Sequence, residues 1–226
     1  MKLIAKIKKL IATIKTVLLK YDQISPIPVL YRIHNFKMTD EEIALFNKTV
    51  KSSKHYLEFG LGGSTIQALR KSKAQVYTMD SSADWIVRLR EYRYIRLMEK
   101  QRLKIYFIDI GEIKKWGYPV DDTSKSKFPV YSSYILNQVK DLDIDTVLID
   151  GRFRVACALY TILTFYHHES IKLLIHDFWN RSKYHILLDY LEEQDRADRL
   201  GLFIIKKGID LDAVKKDYET YKFNPK

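Results

Sequence analysis

The 226-residue chain is poor in cysteine, glycine and proline, with one, eight and five of them, and it has no long uninterrupted apolar run. A single cysteine excludes an intrachain disulfide and a zinc site made of several cysteines, which is typical of proteins in a reducing compartment. Because glycine and proline are scarce and we find no repeat or low-complexity linker, we do not expect large-scale disorder. The length suits one sizeable core, so the sequence predicts a single main domain.

The first 22 residues predict a basic amphipathic helix, which a linker over residues 23–38 joins to the main domain over residues 39–226. Apolar residues recur at every third or fourth position of this helix, and lysines fill much of the rest. These lysines are too frequent for a transmembrane helix, and the segment lacks the apolar core and cleavage site of a secretory signal. The sequence Ser25-Pro26-Ile27-Pro28 then predicts the end of the helix and a stiff connection.

The net charge of +11 calls for an anionic partner. The first 22 residues contain six lysines and one acid, Asp22, and so account for +5 of it. A basic amphipathic helix favours in-plane binding to an anionic membrane surface, and the alternative is packing on its own domain or on a partner subunit. We therefore expect a cytoplasmic protein, peripheral on the inner face of the membrane. A second basic run, residues 88–102, predicts either a solvated helix face or a grip on phosphate groups.

Residues 56–65 have the order of strand, tight turn and helix that opens a nucleotide-binding βαβ unit. The apolar run contains one acid, Glu58, and a helical pattern begins at Ser64. Glycines in the turn permit a positive φ and a close approach of a ligand. Their spacing departs from the dinucleotide pattern G-x-G-x-x-G, and an acid before them suits a ligand with a positive amino group better than a pyrophosphate. The glycines of this turn are Gly60, Gly62 and Gly63.

Further apolar runs follow at regular intervals, and four of them end in an acid. Their continuous apolar character indicates strands that are buried on both faces, as in a parallel sheet covered by helices. The alternation predicts an α/β fold, a Rossmann-like doubly wound, mostly parallel sheet with ligands at the carboxyl ends of its strands. The runs are 76–80, 103–109, 145–150, 171–177 and 202–206. Helical patterns cover 39–51, 64–71, 83–100, 155–167 and 184–198.

The glycine turn and the strand-end acids resemble the class I S-adenosylmethionine (SAM)-dependent methyltransferases, over about residues 40–207. The resemblance implies that SAM is the cofactor and that Asp80 and Ser81 bind its ribose. It also implies that Asp109 and Ile110 border the adenine, and that Asp150 faces the transferred methyl group or the acceptor. The residues that would line the methionine end of SAM are Glu58, Gly60, Gly62, Ser64 and Thr65.

Two segments, 150–154 and 175–178, resemble a small-molecule or sugar methyltransferase branch. The fourth strand is not followed by the Asn-Pro-Pro-Tyr or Asp-Pro-Pro-Tyr of DNA amino-methylating enzymes, and no Pro-Cys nucleophile is present. We therefore expect O-methylation of a sugar hydroxyl on a glycan or glycolipid. An RNA methyltransferase, which the positive charge favours, and a non-catalytic methyltransferase-like scaffold in a glycan-assembly complex are the alternatives. Nucleic acid is the less favoured partner because the expected motifs are missing.

A hydroxyl acceptor must lose a proton, so a base or a metal ion is expected near the fourth and fifth strand ends. Asp150 is the first candidate for the base, and His176 is the second because imidazole titrates near neutral pH. Asp177 would orient that imidazole or, with Asp150, hold Mg²⁺ or Mn²⁺. Of Arg152 and Arg154, either is a candidate to bind an anionic acceptor, and the alternative for each is an ion pair with an internal acid.

Overall fold

A computed structural model describes residues 2–26, 37–168 and 170–226, so most of the predicted linker lies outside the described residues. The predicted α/β architecture is confirmed. The strands are β1 (His55–Phe59), β2 (Gln75–Asp80), β3 (Leu103–Phe107), β4 (Ile113–Lys114), β5 (Tyr118–Pro119), β6 (Thr146–Ile149), β7 (Lys172–Ile175), β8 (Leu191–Ala197) and β9 (Leu200–Ile205). The helices are α1 (Lys2–Ile24), α2 (Asp40–Val50), α3 (Gly63–Lys71), α4 (Ala83–Arg90), α5 (Arg93–Glu99), α6 (Phe128–Val139), α7 (Arg154–Phe165) and α8 (Leu211–Tyr221).

Seven strands form one sheet in the order β3-β2-β1-β6-β7-β9-β8, while β4 and β5 form a short separate hairpin. The first five strands of that order run parallel, and β9 and β8 are antiparallel to their neighbours. The chain order reverses between β1 and β6, which is the switch point where ligands bind in open α/β sheets. The turns after β1 and β6 therefore meet at the carboxyl edge of the sheet.

The sheet is buried on both faces, which explains why its strands read as continuous apolar runs. Side chains alternate between the faces, so Leu57 and Phe59 of β1 join one apolar core and Tyr56 joins the other. The first core includes Ile135 of α6 and Ile162 of α7. Helices α2 to α5 supply the second core on the opposite face. Two packed cores on one sheet hold the carboxyl edges of the strands in fixed positions.

Two helical predictions are wrong in detail. Residues 184–198 do not form one helix: a 3-10 helix covers Ser182–Asp189, and β8 follows as the edge strand. The polar residues of β8 point largely to solvent, while pairing with β9 overrides their weak preference for helix. The predicted helix over 83–100 is split into α4 and α5, because Glu91 and Tyr92 separate them.

Helix α1 covers the predicted basic amphipathic segment and leaves its apolar face uncovered. It packs on α5, where Arg93 Nη1 donates to the Ile24 carbonyl at 3.3 Å. Within the described ranges, no helix is long and apolar enough to cross a membrane. The exposed apolar side chains of α1 are Ile4, Ile7, Leu10, Ile11, Ile14, Val17, Tyr21 and Ile24.

Candidate functional site

A cavity of about 890 Å³ opens at the carboxyl edge of the sheet, where β1, β2, β6 and β7 end, and the β4–β5 hairpin forms one of its walls. Its size and position at the switch point are typical of a small-molecule site. Most of the residues predicted to form the site line this cavity. They are Gly60, Gly62, Ser64, Asp80, Ser81, Asp150, Arg152, Arg154, His176 and Asp177.

The glycine turn after β1 is held tightly on one side and open on the other. Gly60 has a φ of 102°, and a Cβ there would lie 2.9 Å from the Gly151 nitrogen. The turns after β1 and β6 thus touch through backbone atoms alone. Trp85 Nε1 donates to the Leu61 carbonyl at 2.6 Å and fixes the turn from a neighbouring helix. A Cβ at Gly62 would meet no atom within 4 Å, so this side of the turn faces the open cavity.

Glu58 lies behind the glycine turn and not in the cavity. Its side chain is fully buried and accepts hydrogen bonds from the hydroxyls of Ser64 and Thr65, the latter at 2.6 Å. Burial raises the pKa of Glu58 to about 8 despite these bonds. Glu58 and Thr65 do not line the cavity: they brace the turn and the start of α3.

Asp80 ends β2 and lines the cavity beside the glycine turn. Its carboxylate accepts the backbone N–H groups of Leu61 at 3.3 Å and Ser82 at 2.8 Å, so both neighbouring turns fix its orientation. Burial outweighs these bonds and raises its pKa to about 6. The remaining lone pairs of this carboxylate are available to ligand hydroxyls, as ribose binding requires.

Asp109 and Ile110, the predicted adenine border, do not line this cavity. The Asp109 carboxylate is at the surface, 2.6 Å from Lys127 Nζ, and also accepts the backbone N–H of Gly111. Ile110 is fully buried in the core. One side chain thus lies at the surface and the other in the core, both outside the cavity lining.

His176 bridges two carboxylates at the end of β7. Its Nδ1 lies 2.8 Å from Asp150 Oδ1, and its Nε2 lies 3.5 Å from Glu42 Oε2. Burial disfavours the imidazolium, but the two carboxylates outweigh it and raise the pKa of His176 to about 9. Burial likewise opposes ionisation of Asp150, yet the charges of His176 and Arg154 lower its pKa to about 2. At neutral pH the pair is therefore an imidazolium and a carboxylate.

Arg154 is committed to internal contacts. Its guanidinium donates to the carbonyls of Gly151, His176 and Asp150 and to the Asp177 carboxylate, and it forms an ion pair with Asp150 Oδ1 at 2.9 Å. These contacts favour the alternative interpretation of Arg154, an ion pair with an internal acid. It ties the ends of β6 and β7 together.

Asp177 lies beside the imidazole as predicted, with its Oδ1 4.0 Å from His176 Nδ1, but its nearest partners are three arginines. Arg154, Arg181 and Arg199 approach its carboxylate at 3.0, 2.8 and 3.1 Å. Both carboxylates proposed as metal ligands, Asp150 and Asp177, are thus engaged by cationic side chains. The described part of the chain contains no group of three or more His, Cys, Asp or Glu residues that would hold a metal ion. This donor set does not fit Mg²⁺ or Mn²⁺.

Three backbone positions around the cavity are strained. Trp116, Phe153 and Asp177 have φ values of 68°, 53° and 58°, in the left-handed region that residues other than glycine rarely adopt. Trp116 and Asp177 line the cavity, and Phe153 lies between two arginines that do. Strain of this kind persists where the surroundings enforce it and is concentrated at functional sites.

Sequence reasoning missed three side chains of the site. Glu42 is one of them. The spacing Thr39-x-x-Glu42 is that of a helix capping box, which the structure contains, and this local pattern could have marked the residue. Arg199 and Tyr118 are the others, and no local pattern marks them because hairpin and sheet topology bring them to the cavity. Of the tryptophans, Trp85 and Trp116 line the cavity, whereas Trp179 packs against Phe178 and Phe203.

Comparisons with known proteins agree with this architecture. The sequence matches no protein-family model and no curated protein. A solved methyltransferase-like protein from Silicibacter pomeroyi is similar in structure, with a TM-score of 0.71 and 24% identity over 85% of this chain and 98% of that chain. This chain has a class I methyltransferase-like fold.

Two further methyltransferase structures are similar with lower scores. The N-methyltransferase NodS from Bradyrhizobium japonicum WM9, solved with S-adenosyl-L-homocysteine, has a TM-score of 0.43 and 12% identity over 84% of this chain and 97% of its own. A dimethyladenosine transferase from Plasmodium falciparum has a TM-score of 0.39 and 14% identity over 74% of this chain and 60% of its own. Likenesses this weak support no argument about the acceptor.

Proposed function

We propose that this protein is a SAM-dependent methyltransferase that methylates a hydroxyl of a carbohydrate or glycolipid acceptor. One observation carries the proposal: in a class I methyltransferase-like fold, the glycine turn, Asp80 and Asp150 surround one cavity at the switch point of the sheet. Fold alone does not fix a function, so the argument rests on these side chains.

The residues present fit SAM. The open side of the glycine turn at Gly62 leaves space for a ligand against the backbone, and the Asp80 carboxylate is oriented to accept ribose hydroxyls. Trp85 also lines the cavity and offers an aromatic face. SAM, when bound, supplies a methyl group on a sulfonium, which a nucleophile attacks in line. The protein must then align the acceptor and remove its proton.

Asp150 is the residue best placed to handle the acceptor proton. It is ionised at neutral pH and lines the cavity, so it accepts a hydrogen bond from an acceptor hydroxyl and orients that oxygen. A hydroxyl becomes strongly acidic while its oxygen is being alkylated, so even a weakly basic carboxylate suffices to receive the proton. His176 is protonated at neutral pH and is not the base. It instead holds Asp150 in place and keeps it charged.

The uncovered apolar face of α1 supports binding at an anionic membrane surface. Its apolar side chains are exposed along the helix, and the same helix carries six lysines with Asp22 as its sole acid. Asp22 is buried, whereas the described lysines of the helix are exposed, so the surface of α1 is positively charged. Apolar burial and attraction to anionic lipid then act together. This location suits an acceptor that is itself membrane-linked.

Methyl transfer tests the assignment of Asp150. The purified protein, incubated with methyl-labelled SAM and a membrane glycolipid fraction, should label the carbohydrate portion of that fraction. Asp150→Asn should retain S-adenosylhomocysteine binding and lose most of the labelling. Full labelling by Asp150→Asn would exclude it as the essential proton acceptor. Strong, salt-sensitive RNA binding that survives deletion of residues 1–22 would instead favour an RNA methyltransferase.

A further inference from the structure

Arg152 is a cation in the cavity whose guanidinium forms no close ion pair with a described carboxylate, although its charge favours the ionised forms of Asp80 and Asp150. No ion pair joins its guanidinium to a carboxylate of the described residues, and the guanidinium stacks on the Tyr118 ring at 4.2 Å from the centroid. The backbone N–H of Arg152 donates to the Tyr131 hydroxyl at 3.0 Å and fixes the position of the residue. The arginine is thus held over an aromatic ring, and its planar fork of donors makes no ion pair with a described carboxylate.

The surroundings of Arg152 contain more cations than carboxylates. Three arginines share the carboxylate of Asp177, and one of them, Arg181, reaches the same cavity with its side chain partly exposed. Burial and the charge of Arg181 also lower the pKa of the neighbouring Lys183. The hairpin adds Lys114 and Lys115 to the cavity wall. The positive charge around Tyr118 is therefore only partly neutralised by the protein.

The β4–β5 hairpin closes this corner of the cavity. A Cβ at Gly117 would lie 3.6 Å from Ser81 Oγ and 3.8 Å from Arg152 Cγ, so the hairpin reaches across to the loops after β2 and β6. The strained Trp116 stands at its tip beside Lys115, which lies 5.7 Å from the ring centroid. Burial opposes ionisation of Tyr118, but Arg152 and Arg181 lower the pKa of its hydroxyl below the usual value.

We propose that Arg152, Arg181 and Tyr118 form a subsite for an anionic group, a phosphate or a carboxylate, carried by the acceptor. The inference rests on the proposed function, because it names the class of acceptor that the methyltransferase site takes. A planar guanidinium binds either anion through paired hydrogen bonds, and the Tyr118 hydroxyl supplies a further donor. The acceptor hydroxyl would then lie between this subsite and Asp150, on the same molecule as the anion.

The test uses the full chain and two simple anions, inorganic phosphate and acetate, titrated at constant ionic strength with chemical shifts or heat as the readout. Phosphate, acetate or both should bind, and which of the two binds more tightly distinguishes a phosphate-bearing acceptor from a carboxylate-bearing one. Arg152→Gln should weaken that binding by at least about tenfold, the usual loss for a charge-assisted bond. Tyr118→Phe should weaken it less. Arg88→Gln, which removes an exposed arginine outside the cavity, should not change it.

S-adenosylhomocysteine titrations of the same proteins separate this subsite from the cofactor site. We expect Arg152→Gln to keep its S-adenosylhomocysteine affinity and its stability to urea. Equal anion affinity in Arg152→Gln and the wild type would overturn the subsite. Competition between phosphate and S-adenosylhomocysteine would also overturn it, since the anion bound there would be the methionine carboxylate. Absence of S-adenosylhomocysteine binding in the wild type would contradict the proposed function. The subsite would still be tested by the anion titrations of the wild type and Arg152→Gln.

Discussion

His176 and Asp150 form a buried pair whose pKa values move in opposite directions for one shared reason. Each group stabilises the charged form of the other, so the imidazolium holds its proton to about pH 9 and the carboxylate ionises near pH 2. Glu42 faces the other ring nitrogen and adds to the effect. The charge of this pair thus stays constant over the whole neutral range, which suits the role proposed for Asp150 in orienting an acceptor.

This pair gives stability a defined pH dependence. An unfolded histidine releases its proton near pH 6.5, so the folded state binds more protons between that value and about 9. The stability that protonated His176 contributes is complete below about pH 6.5 and is lost as the pH rises through about 9. The free energy of unfolding, measured in urea, should therefore differ most between wild type and His176→Gln near pH 6. A difference that stays constant from pH 6 to 10 would contradict this account.

At the scale of elements, the turn between β1 and α3 combines two glycines with different tasks. Gly60 lies in the left-handed region and is packed against Gly151, whereas Gly62 is extended and faces open space. Gly60 allows the two turns to pack together, and Gly62 leaves space in the cavity. The strand–turn–helix pattern was readable from the sequence because it is local, but this division of labour depends on contact with a turn some ninety residues away.

Two alanine variants separate these tasks. Gly60→Ala should destabilise the protein by about 1–3 kcal/mol, because its Cβ meets backbone atoms and its φ is unfavourable. Gly62→Ala should change stability by no more than about 0.5 kcal/mol, since its Cβ enters empty space. It should nevertheless weaken S-adenosylhomocysteine binding by occupying the ligand side of the turn. Urea unfolding and calorimetry on both variants check this, and the reverse pattern would contradict the assignment.

Helix α1 yields a prediction about lipid. The full chain should sediment with vesicles that contain anionic lipid but not with purely zwitterionic vesicles, and salt should weaken the binding. Leu10→Ser with Ile14→Ser should reduce vesicle binding by at least about tenfold, because each apolar side chain contributes roughly 1.5–3 kcal/mol when buried. Val130→Ser, an exposed apolar residue on α6, is the control. Concentration-dependent self-association through α1 without any vesicle binding would show that a second copy covers this face.

At the scale of the whole molecule, the sequence predicted the sheet more completely than the site. Strands buried on both faces produce apolar runs that local reading detects, and the acids Asp80 and Asp150 stand at the ends of two such runs. Glu58 misled because its position in the motif does not reveal that its side chain turns inward to Ser64. Tyr118 escaped notice because only the folded hairpin brings it to the cavity. Side-chain orientation within the turn and contacts across long sequence separations thus account for these differences at the site.

The central claim is that the cavity at the switch point binds SAM, and calorimetric titration with S-adenosylhomocysteine tests it most directly. We expect a single site in the wild type, with an affinity that Asp80→Ala lowers by about 1.5–3 kcal/mol, the usual cost of losing charge-assisted hydrogen bonds. The affinity should also fall below about pH 6, where Asp80 takes up a proton and no longer accepts both ribose hydroxyls. Absence of binding to a folded wild type would contradict the account and favour a non-catalytic scaffold.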